Sequence, residues 1–218
     1  MLWDWNYAVD ILPKLLRGLL VTVEATLLGS ALAMVLGLVF DLVRRSGVPV
    51  LSHLMRAFIE FVRSTPLLVQ LFFLFFVLPD FGITLGAFTT GVIGLGVHYG
   101  TYTAEVYRAG IDAIPRGQWE ACTALNLPRS RVWTGVVLPQ AIPRVLPALG
   151  NYVISMFKET PLLLGISVIE LVGAARDAGS DTFRLVEPLT MAGLLFLLVS
   201  YPSSVLLRKV ERRVGYAT

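Results

Sequence analysis

The residues best suited to chemistry lie within one apolar stretch, residues 145–169. Lys158 and Glu159 stand near its middle, and Tyr152 lies seven positions before Glu159. Because seven residues make about two helical turns, Tyr152 and Glu159 share one face of a helix, with the Ser155 hydroxyl nearby. An aromatic ring beside a carboxylate suits a small solute that carries a delocalised cation.

Two interpretations of Lys158 and Glu159 stay open. An ionisable residue inside a membrane span costs about 2.5–3.5 kcal/mol on insertion scales and is a candidate functional residue for that reason. The two residues either line a solute pathway or form a structural pair that is satisfied by buried partners. Pro161 follows them and can break the helix, which frees backbone groups to line a cavity.

Two further polar residues are candidates for the pathway. Glu24 is the only ionisable residue of the first apolar run, and packing against another helix is its alternative role. Thr65 belongs to the segment Arg63–Leu68 (RSTPLL), which is similar to residues 158–163 (KETPLL). Duplicated halves occur in transporters, and chance similarity is the other explanation of this echo.

The motifs that the sequence lacks argue against enzymatic function. It contains no His-Glu-x-x-His or Gly-x-Ser-x-Gly motif. The absence of these motifs argues against an intramembrane protease. The sequence has no Gly-x-x-x-x-Gly-Lys phosphate loop, so any ATP must be bound by a separate subunit. We expect no catalytic residue, cofactor, metal site or nucleic-acid partner, and the single cysteine excludes an intramolecular disulfide.

The chain that must position these residues has the composition of a membrane protein. Hydrophobic residues make up 56% of its 218 residues and charged residues only 15%, whereas soluble domains carry about a quarter charged residues. Apolar runs of about 20 residues match the thickness of a bilayer. We therefore predict one all-α membrane domain over residues 1–218, with about five transmembrane helices. The predicted spans are residues 18–40, 57–79, 81–104, 145–169 and 188–207.

The positive charges predict how these spans are oriented. With the N-terminus outside, thirteen Lys and Arg residues fall on the cytoplasmic side and four on the other, with Lys158 inside the bilayer. Cytoplasmic loops carry such an excess. We predict a multi-pass protein with the N-terminus outside and the C-terminus in the cytoplasm.

The longest predicted cytoplasmic loop, residues 108–144, has the pattern of two short helices. Pro115 suits the first turn of a helix, where its missing N–H costs nothing. Asn126 can take the left-handed conformation that closes a helix, and Pro128 prevents its continuation. A second helical segment leads to Pro139. The alternative is an ordinary amphipathic loop helix packed on its own bundle.

This loop resembles the cytoplasmic E-A-A signature of ABC importer permeases. The matching residues are Gln118, Glu120, Ala121, Leu125, Leu138 and Pro139. Residues 63–68, 105–111, 149–151 and 158–160 also resemble the polar-amino-acid uptake branch, and residues 78–82 and 124–127 resemble the permeases of ectoine and hydroxyectoine importers. Two positions depart from the pattern: Cys122 replaces the usual alanine and Asn126 the usual glycine.

The resemblance implies a type I importer permease with a coupling helix in the loop. The residues it assigns to contact with the ATPase are Gly117, Gln118, Glu120, Ala121, Cys122, Leu125, Asn126 and Pro139. The implied partners are cytoplasmic ATPase subunits, a second permease subunit (identical or paralogous), an extracytoplasmic solute-binding protein and membrane lipid, in a bacterial inner membrane. The implied cargo is a polar amino acid or an ectoine-like zwitterion. The alternative function is that of a secondary transporter or channel for a small polar solute.

Overall fold

The computed structural model describes residues 3–213, and within them every regular element is helical. The helices are α1 (Trp5–Arg44), α2 (Pro49–Arg63), α3 (Leu67–Phe72), α4 (Ala87–Asp112), α5 (Arg116–Ala124), α6 (Arg129–Arg131), α7 (Leu138–Glu159), α8 (Leu171–Thr182) and α9 (Val186–Arg213). Wider π turns cover Phe73–Val77 and Val132–Val137, and tighter 3₁₀ turns cover Leu78–Phe81 and Thr160–Ile166.

The first predicted span, residues 18–40, lies within a longer helix. Helix α1 contains 40 residues and begins at Trp5, with Asp4 as its N-cap. The Asp4 carboxylate accepts hydrogen bonds from the N–H groups of Asn6 and Tyr7. At 1.5 Å per residue the helix is about 60 Å long, twice the roughly 30 Å of a hydrocarbon core. Its first turns therefore extend beyond the apolar run that hydropathy detects.

The second predicted span, residues 57–79, is not one straight helix. Helix α2 and the helical segment Leu67–Phe81 meet at an angle of 105°. Pro66 lies between them in an extended conformation, with φ −63° and ψ 138°. Proline also disfavours helical geometry in the residue before it, so the helix ends at Arg63.

The remaining spans are displaced or divided. The third prediction, residues 81–104, corresponds to α4, which begins later and continues to Asp112. The fourth, residues 145–169, corresponds to α7, which ends at Glu159 before the 3₁₀ turn that carries Pro161. The fifth, residues 188–207, lies within α9, and the sequence prediction missed α8 entirely.

By length and composition, fewer than five spans are found among the described helices. Two of them, α1 and α9, are long and apolar enough to cross a membrane, and the number rises to four if each of two bent helix pairs counts as one span. Helix α4 has the length but not the hydropathy, since His98 and several threonines and tyrosines lie along it. Five spans therefore stay a prediction.

Helices α1 and α4 pack at short distance because small residues face each other. A side chain on Gly37 would lie 3.0 Å from the Ala104 backbone nitrogen, so the two backbones leave no room for one. The Thr103 hydroxyl uses this proximity to donate a hydrogen bond of 2.8 Å to the Ala33 carbonyl on α1. Small residues and interhelical hydrogen bonds are the usual means of helix association in lipid.

Helix α8 begins at a buried carboxylate. Glu170 is fully buried and accepts hydrogen bonds from the N–H groups of Gly173 (2.8 Å) and Val172 (3.0 Å). Thr22 of α1 donates its hydroxyl to the same carboxylate at 3.4 Å and accepts the N–H of Leu171 at 3.2 Å. The Glu170 side chain therefore satisfies two N–H groups at the start of α8 that have no partner within the helix, and it joins that helix to α1.

Replacing Glu170 with alanine should lower the free energy of unfolding by about 2 kcal/mol, because a helix cap is lost and buried N–H groups are left unsatisfied. Unfolding of the detergent-solubilised protein by titrated dodecyl sulfate, followed by circular dichroism, measures the change. Glu170→Gln keeps an acceptor oxygen and should lose less. Asp181→Ala removes an exposed carboxylate of α8 that lies 3.7 Å from Lys14 of α1, and it should change little. Equal losses in Glu170→Ala and Asp181→Ala would contradict the role of Glu170.

Candidate functional site: a tyrosine cluster and an exposed helix

The C-terminal turns of α7 carry four of the predicted pathway residues. Tyr152, Ser155 and Glu159 are half-buried, whereas Lys158 is exposed and forms no ion pair with any residue that the structure describes. The expected break follows at once: Thr160 donates its hydroxyl to the Phe157 carbonyl at 2.9 Å, and the chain tightens into the 3₁₀ turn. Within the described residues, Lys158 and Glu159 therefore do not form an ion pair with each other.

Tyr152 belongs to an aromatic group that we call the tyrosine cluster, defined by Tyr99, Tyr102 and Tyr152. The Tyr152 ring centroid lies 5.9 Å from that of Tyr99 and 5.7 Å from that of Tyr102, and those two are 6.1 Å apart. His98 extends the group, 5.3 Å from Tyr102. Offset and edge-on rings at these separations attract one another and form a rigid, partly polar wall between α4 and α7.

Two opposite charges flank the tyrosine cluster. The Arg63 guanidinium carbon lies 5.1 Å from the centroid of the Tyr102 ring, a cation–π contact. The Glu159 carboxylate lies near enough to the Tyr99 hydroxyl for the two groups to interact electrostatically. The cluster therefore has a cation against Tyr102 and a carboxylate near Tyr99.

Thr65 lies beside this group and holds the bend between α2 and α3. Its hydroxyl accepts a hydrogen bond of 2.8 Å from the Gln70 amide, which also donates to the Val62 carbonyl at 2.7 Å. The Gln70 amide oxygen lies 3.1 Å from His98 Nδ1, so that nitrogen carries the proton in this arrangement. Hydrogen bonds thus connect the bend to the helix that bears Tyr99 and Tyr102.

Glu24 is not brought together with the other candidates. It is exposed on α1, and none of the described ring contacts or ion pairs of the cluster includes it. Sequence reasoning missed Arg63, Tyr99 and Tyr102 as members of the cluster. A signal was present, since Tyr99 and Tyr102 are three residues apart in an uncharged run and so share a helix face.

The predicted cytoplasmic helix exists as α5. Its exposed residues include Gly117, Gln118, Glu120 and Ala121, and Leu125 just beyond its end is 71% exposed. Cys122 is buried. Trp119 on the inner side packs edge-on against Trp133 with centroids 6.1 Å apart, next to a small core formed by Ile114, Val137 and Ala141. The helix is thus anchored on one side and open on the other.

The expected helix closure at Asn126 is confirmed. Asn126 has φ +47°, the Leu127 N–H donates to the Cys122 carbonyl at 3.0 Å, and the Asn126 N–H donates to the Thr123 carbonyl at 3.0 Å. This is the Schellman arrangement, in which a left-handed residue pairs the last carbonyls. Pro115, however, is the N-cap and lies just outside the first turn in which it was predicted.

Pro139 lies in the first turn of α7, but the chain is already helical before it. The chain is helical from Arg129 to Ile166, and Pro139 follows the π turn Val132–Val137. Proline cannot donate to the carbonyl four residues earlier, and a helix often widens where that bond is missing. Pro139 therefore marks a local irregularity within a long helix.

A set of charged side chains joins the ends of α1 and α4 on the side that bears α5. We call it the charge network: Asp41, Arg44, Arg45, Glu105, Arg108 and Asp112. Arg44 pairs with Asp41 at 2.7 Å and also with Glu105, and Arg45 joins Asp41 (3.0 Å) to Asp112 (2.8 Å). Glu105 also pairs with Arg108, at 2.8 Å.

The network holds Glu105 in its charged form. Burial alone would raise the pKa of Glu105, but hydrogen bonds from Arg108 and Arg44 outweigh it and keep the pKa below its ordinary value. The carboxylate therefore stays ionised at neutral pH, and α1 and α4 remain linked by charge at this end.

Relatives of known class match nearly the whole chain. A probable amino-acid ABC transporter permease protein of Sinorhizobium fredii is 46% identical over 214 residues, covering 96% of this chain and 93% of the relative. The glutamine transport system permease protein of Escherichia coli is 33% identical over 216 residues, covering 98% of this chain and 99% of the relative.

Solved structures share the fold. The crystal structure of an amino acid ABC transporter, determined with histidines, has a chain that superposes with a TM-score of 0.92 at 35% identity, covering 98% of this chain and 100% of that one. A chain of the methionine ABC transporter MetNI in an inward-facing conformation superposes at 0.77 with 20% identity, covering 94% and 98%. That second match concerns the fold alone.

The family model described as "binding-protein-dependent transport system inner membrane component" matches residues 25–216. It covers α2 to α9, with α5 and the tyrosine cluster, and the second half of α1. The chain belongs to this family of ABC importer permeases, the membrane subunits of binding-protein-dependent transport systems.

Proposed function

We propose that this chain is the permease subunit of an ATP-driven importer for polar amino acids. The tyrosine cluster between Arg63 and Glu159 carries this proposal. An amino acid presents a carboxylate and an ammonium group on one small frame, and Arg63 and Glu159 complement one group each. The aromatic faces between them accept an aliphatic or cationic side chain.

Relatives support the same solute class. They include proteins named for the transport of glutamine, arginine and cystine, all of them zwitterionic amino acids. The ectoine-like motifs at residues 78–82 and 124–127 have no such support, although ectoine is also a zwitterion with a delocalised cation. Ectoine therefore belongs in the test panel as the alternative cargo.

The open face of α5 is the proposed contact with the ATPase. Gly117 and Ala121 are small and exposed, so a neighbouring surface can approach closely, and Glu120 can pair with a cation across the interface. Anchoring by Trp119 against Trp133 lets the helix pass on a displacement to α7 as a unit. A secondary transporter or channel has no use for such a helix.

The remaining parts of the proposal follow from the family and the charge distribution. Two permease subunits, identical or paralogous, enclose the pathway, two cytoplasmic ATPases drive it, and an extracytoplasmic binding protein delivers the solute. ATP binds to the ATPases. The chain lies in a bacterial inner membrane, crosses it about five times and has its N-terminus outside.

Removing the charge or the ring at the cluster should weaken uptake. In vesicles that contain the permease, the ATPase and the binding protein, uptake of labelled L-glutamine, L-arginine, L-cystine and ectoine identifies the cargo. For the transported solute, Glu159→Gln and Tyr152→Ala should each lower the rate at limiting concentration about tenfold, the effect of one charge-assisted or cation–π contact. Tyr152→Phe keeps the ring and should lose less.

Asp80→Asn, an exposed carboxylate outside the cluster, is the matched control for Glu159→Gln. Wild-type uptake by both Glu159→Gln and Tyr152→Ala across the full concentration range would show that these residues are structural. Exclusive uptake of ectoine would make the chain an ectoine permease.

Changing the open face of α5 should uncouple the ATPase without unfolding the permease. Glu120→Arg reverses a charge and Ala121→Trp fills the space for close approach, so both should abolish solute-stimulated ATP hydrolysis in reconstituted vesicles. Glu211→Arg near the end of α9 gives the same charge change elsewhere and should retain stimulation. Normal stimulation in Glu120→Arg and Ala121→Trp would exclude α5 as the contact.

The orientation can be measured with a reporter that is active only in the cytoplasm. Because thirteen cations lie on the proposed cytoplasmic side against four outside, a fusion after Thr218 should be active and an insertion within residues 80–87 silent. The reverse result would place the N-terminus in the cytoplasm.

A further inference from the structure

A cavity lies between α2 and the charge network on α1 and α4. Its volume is 480 Å³, within the range of small-molecule sites. The charge network forms one wall, and Arg56, Ile59 and Glu60 of α2 form the other. The cavity is therefore polar on both sides and large enough for a single amino acid.

The charged residues of the two walls differ in whether they already form ion pairs. The three arginines of the charge network are matched by its three carboxylates, and each takes part in at least one ion pair. Arg56 and Glu60 are exposed, and neither has an ion pair with any residue that the structure describes. The α2 wall therefore offers one available cation and one available carboxylate.

The balance of charge indicates which ligand fits. Four arginines and three carboxylates line the cavity, and the buried Asp41, which pairs with Arg44 and Arg45 behind this lining, makes the charges equal in number. The site therefore has no net charge to attract a lone anion or a lone cation. A zwitterion gains from both available groups at once and leaves neither unpaired. Arg56 and Glu60 are four residues apart, so their side chains project from the same face of α2.

The faces of α2 and α4 that line the cavity lead along both helices towards the contact of Arg63 with Tyr102. On α2, positions 56, 60 and 63 fall on one face, and on α4 positions 102, 105, 108 and 112 do the same. Arg63 and Tyr102, which contact each other in the cluster, are thus the next members of the two faces that enclose the cavity. Seven residues separate Arg56 from Arg63, a rise of about 10 Å along α2.

We infer that this cavity is a second amino-acid site on the cytoplasmic side, the last one occupied before release, in which Arg56 binds the carboxylate and Glu60 the ammonium group. The inference rests on the proposed function for its cargo. It predicts that product accumulated in the cytoplasm refills this site and slows further import.

The test uses vesicles that contain the complete permease–ATPase complex, with ATP enclosed and the binding protein outside, so that the lumen corresponds to the cytoplasm. L-glutamine and L-arginine serve as probes, each as labelled external cargo and as luminal load. In the wild type, luminal load should slow uptake. Arg56→Gln and Glu60→Gln should each raise the luminal concentration needed for half-inhibition about tenfold, since each removes one charged contact. The inhibition of each variant is expressed relative to its own uptake into vesicles without luminal load.

Control variants and ligands separate this site from a general surface effect. Arg208→Gln and Glu211→Gln neutralise the same charge types near the end of α9 and should leave inhibition unchanged. Arg56→Glu should abolish inhibition, and the double exchange Arg56→Glu with Glu60→Arg should restore part of it, because one group of each sign is present again. Luminal N-acetyl-L-glutamine and L-glutamine methyl ester, which each lack one charge, should inhibit at least tenfold more weakly than L-glutamine.

Three results would overturn the inference: no luminal inhibition in the wild type, wild-type inhibition in Arg56→Gln and Glu60→Gln, or equal inhibition by the singly charged analogues. Each is distinct from failure of the proposed function, which would appear as absence of amino-acid uptake into empty wild-type vesicles.

Discussion

The rest of the structure depends on one constraint, which is that backbone groups inside a bilayer must find their partners within the protein. Two of the breaks between helices, before Leu67 and after Glu159, each release N–H and C=O groups. At the first, the Gln70 amide donates to the carbonyls of Val62 and Thr65. After the second, the Glu170 carboxylate accepts the first N–H groups of α8. These side chains make the breaks stable.

The breaks determine what the tyrosine cluster can be. Because α2 ends at Arg63, its last guanidinium can rest on Tyr102, and because α7 ends at Glu159, a carboxylate comes to lie beside Tyr99. The close packing of α1 against α4 then holds the tyrosine-bearing helix in place, with the charge network at one end. Opposite charges thus occur at helix ends, where side chains are free to face a solute, and the aromatic rings lie along helix sides.

Much of this arrangement was predictable from local sequence. Pro161 indicated the end of α7, Asn126 the closure of α5, and the spacing of Glu105 and Arg108 their ion pair, since each depends on neighbours within four residues. The course of the chain at Pro66 was not predicted, because hydropathy averages across a bend. Helix α8 was missed since its residues are small and polar and its cap reaches α1. The partnership of Arg63 with Tyr102 joins separate helices, which no pattern within one segment reveals.

The burial of Cys122 has a practical consequence for spectroscopy. It is the only cysteine in the sequence, it is 5% exposed, and it lies in α5 outside the tyrosine cluster. A thiol introduced at an exposed position will therefore react with maleimide or spin-label reagents well before the native one, because access limits the rate. The natural chain is thus close to a cysteine-free background, and distances across the α2–α3 bend can be followed during transport without first altering α5.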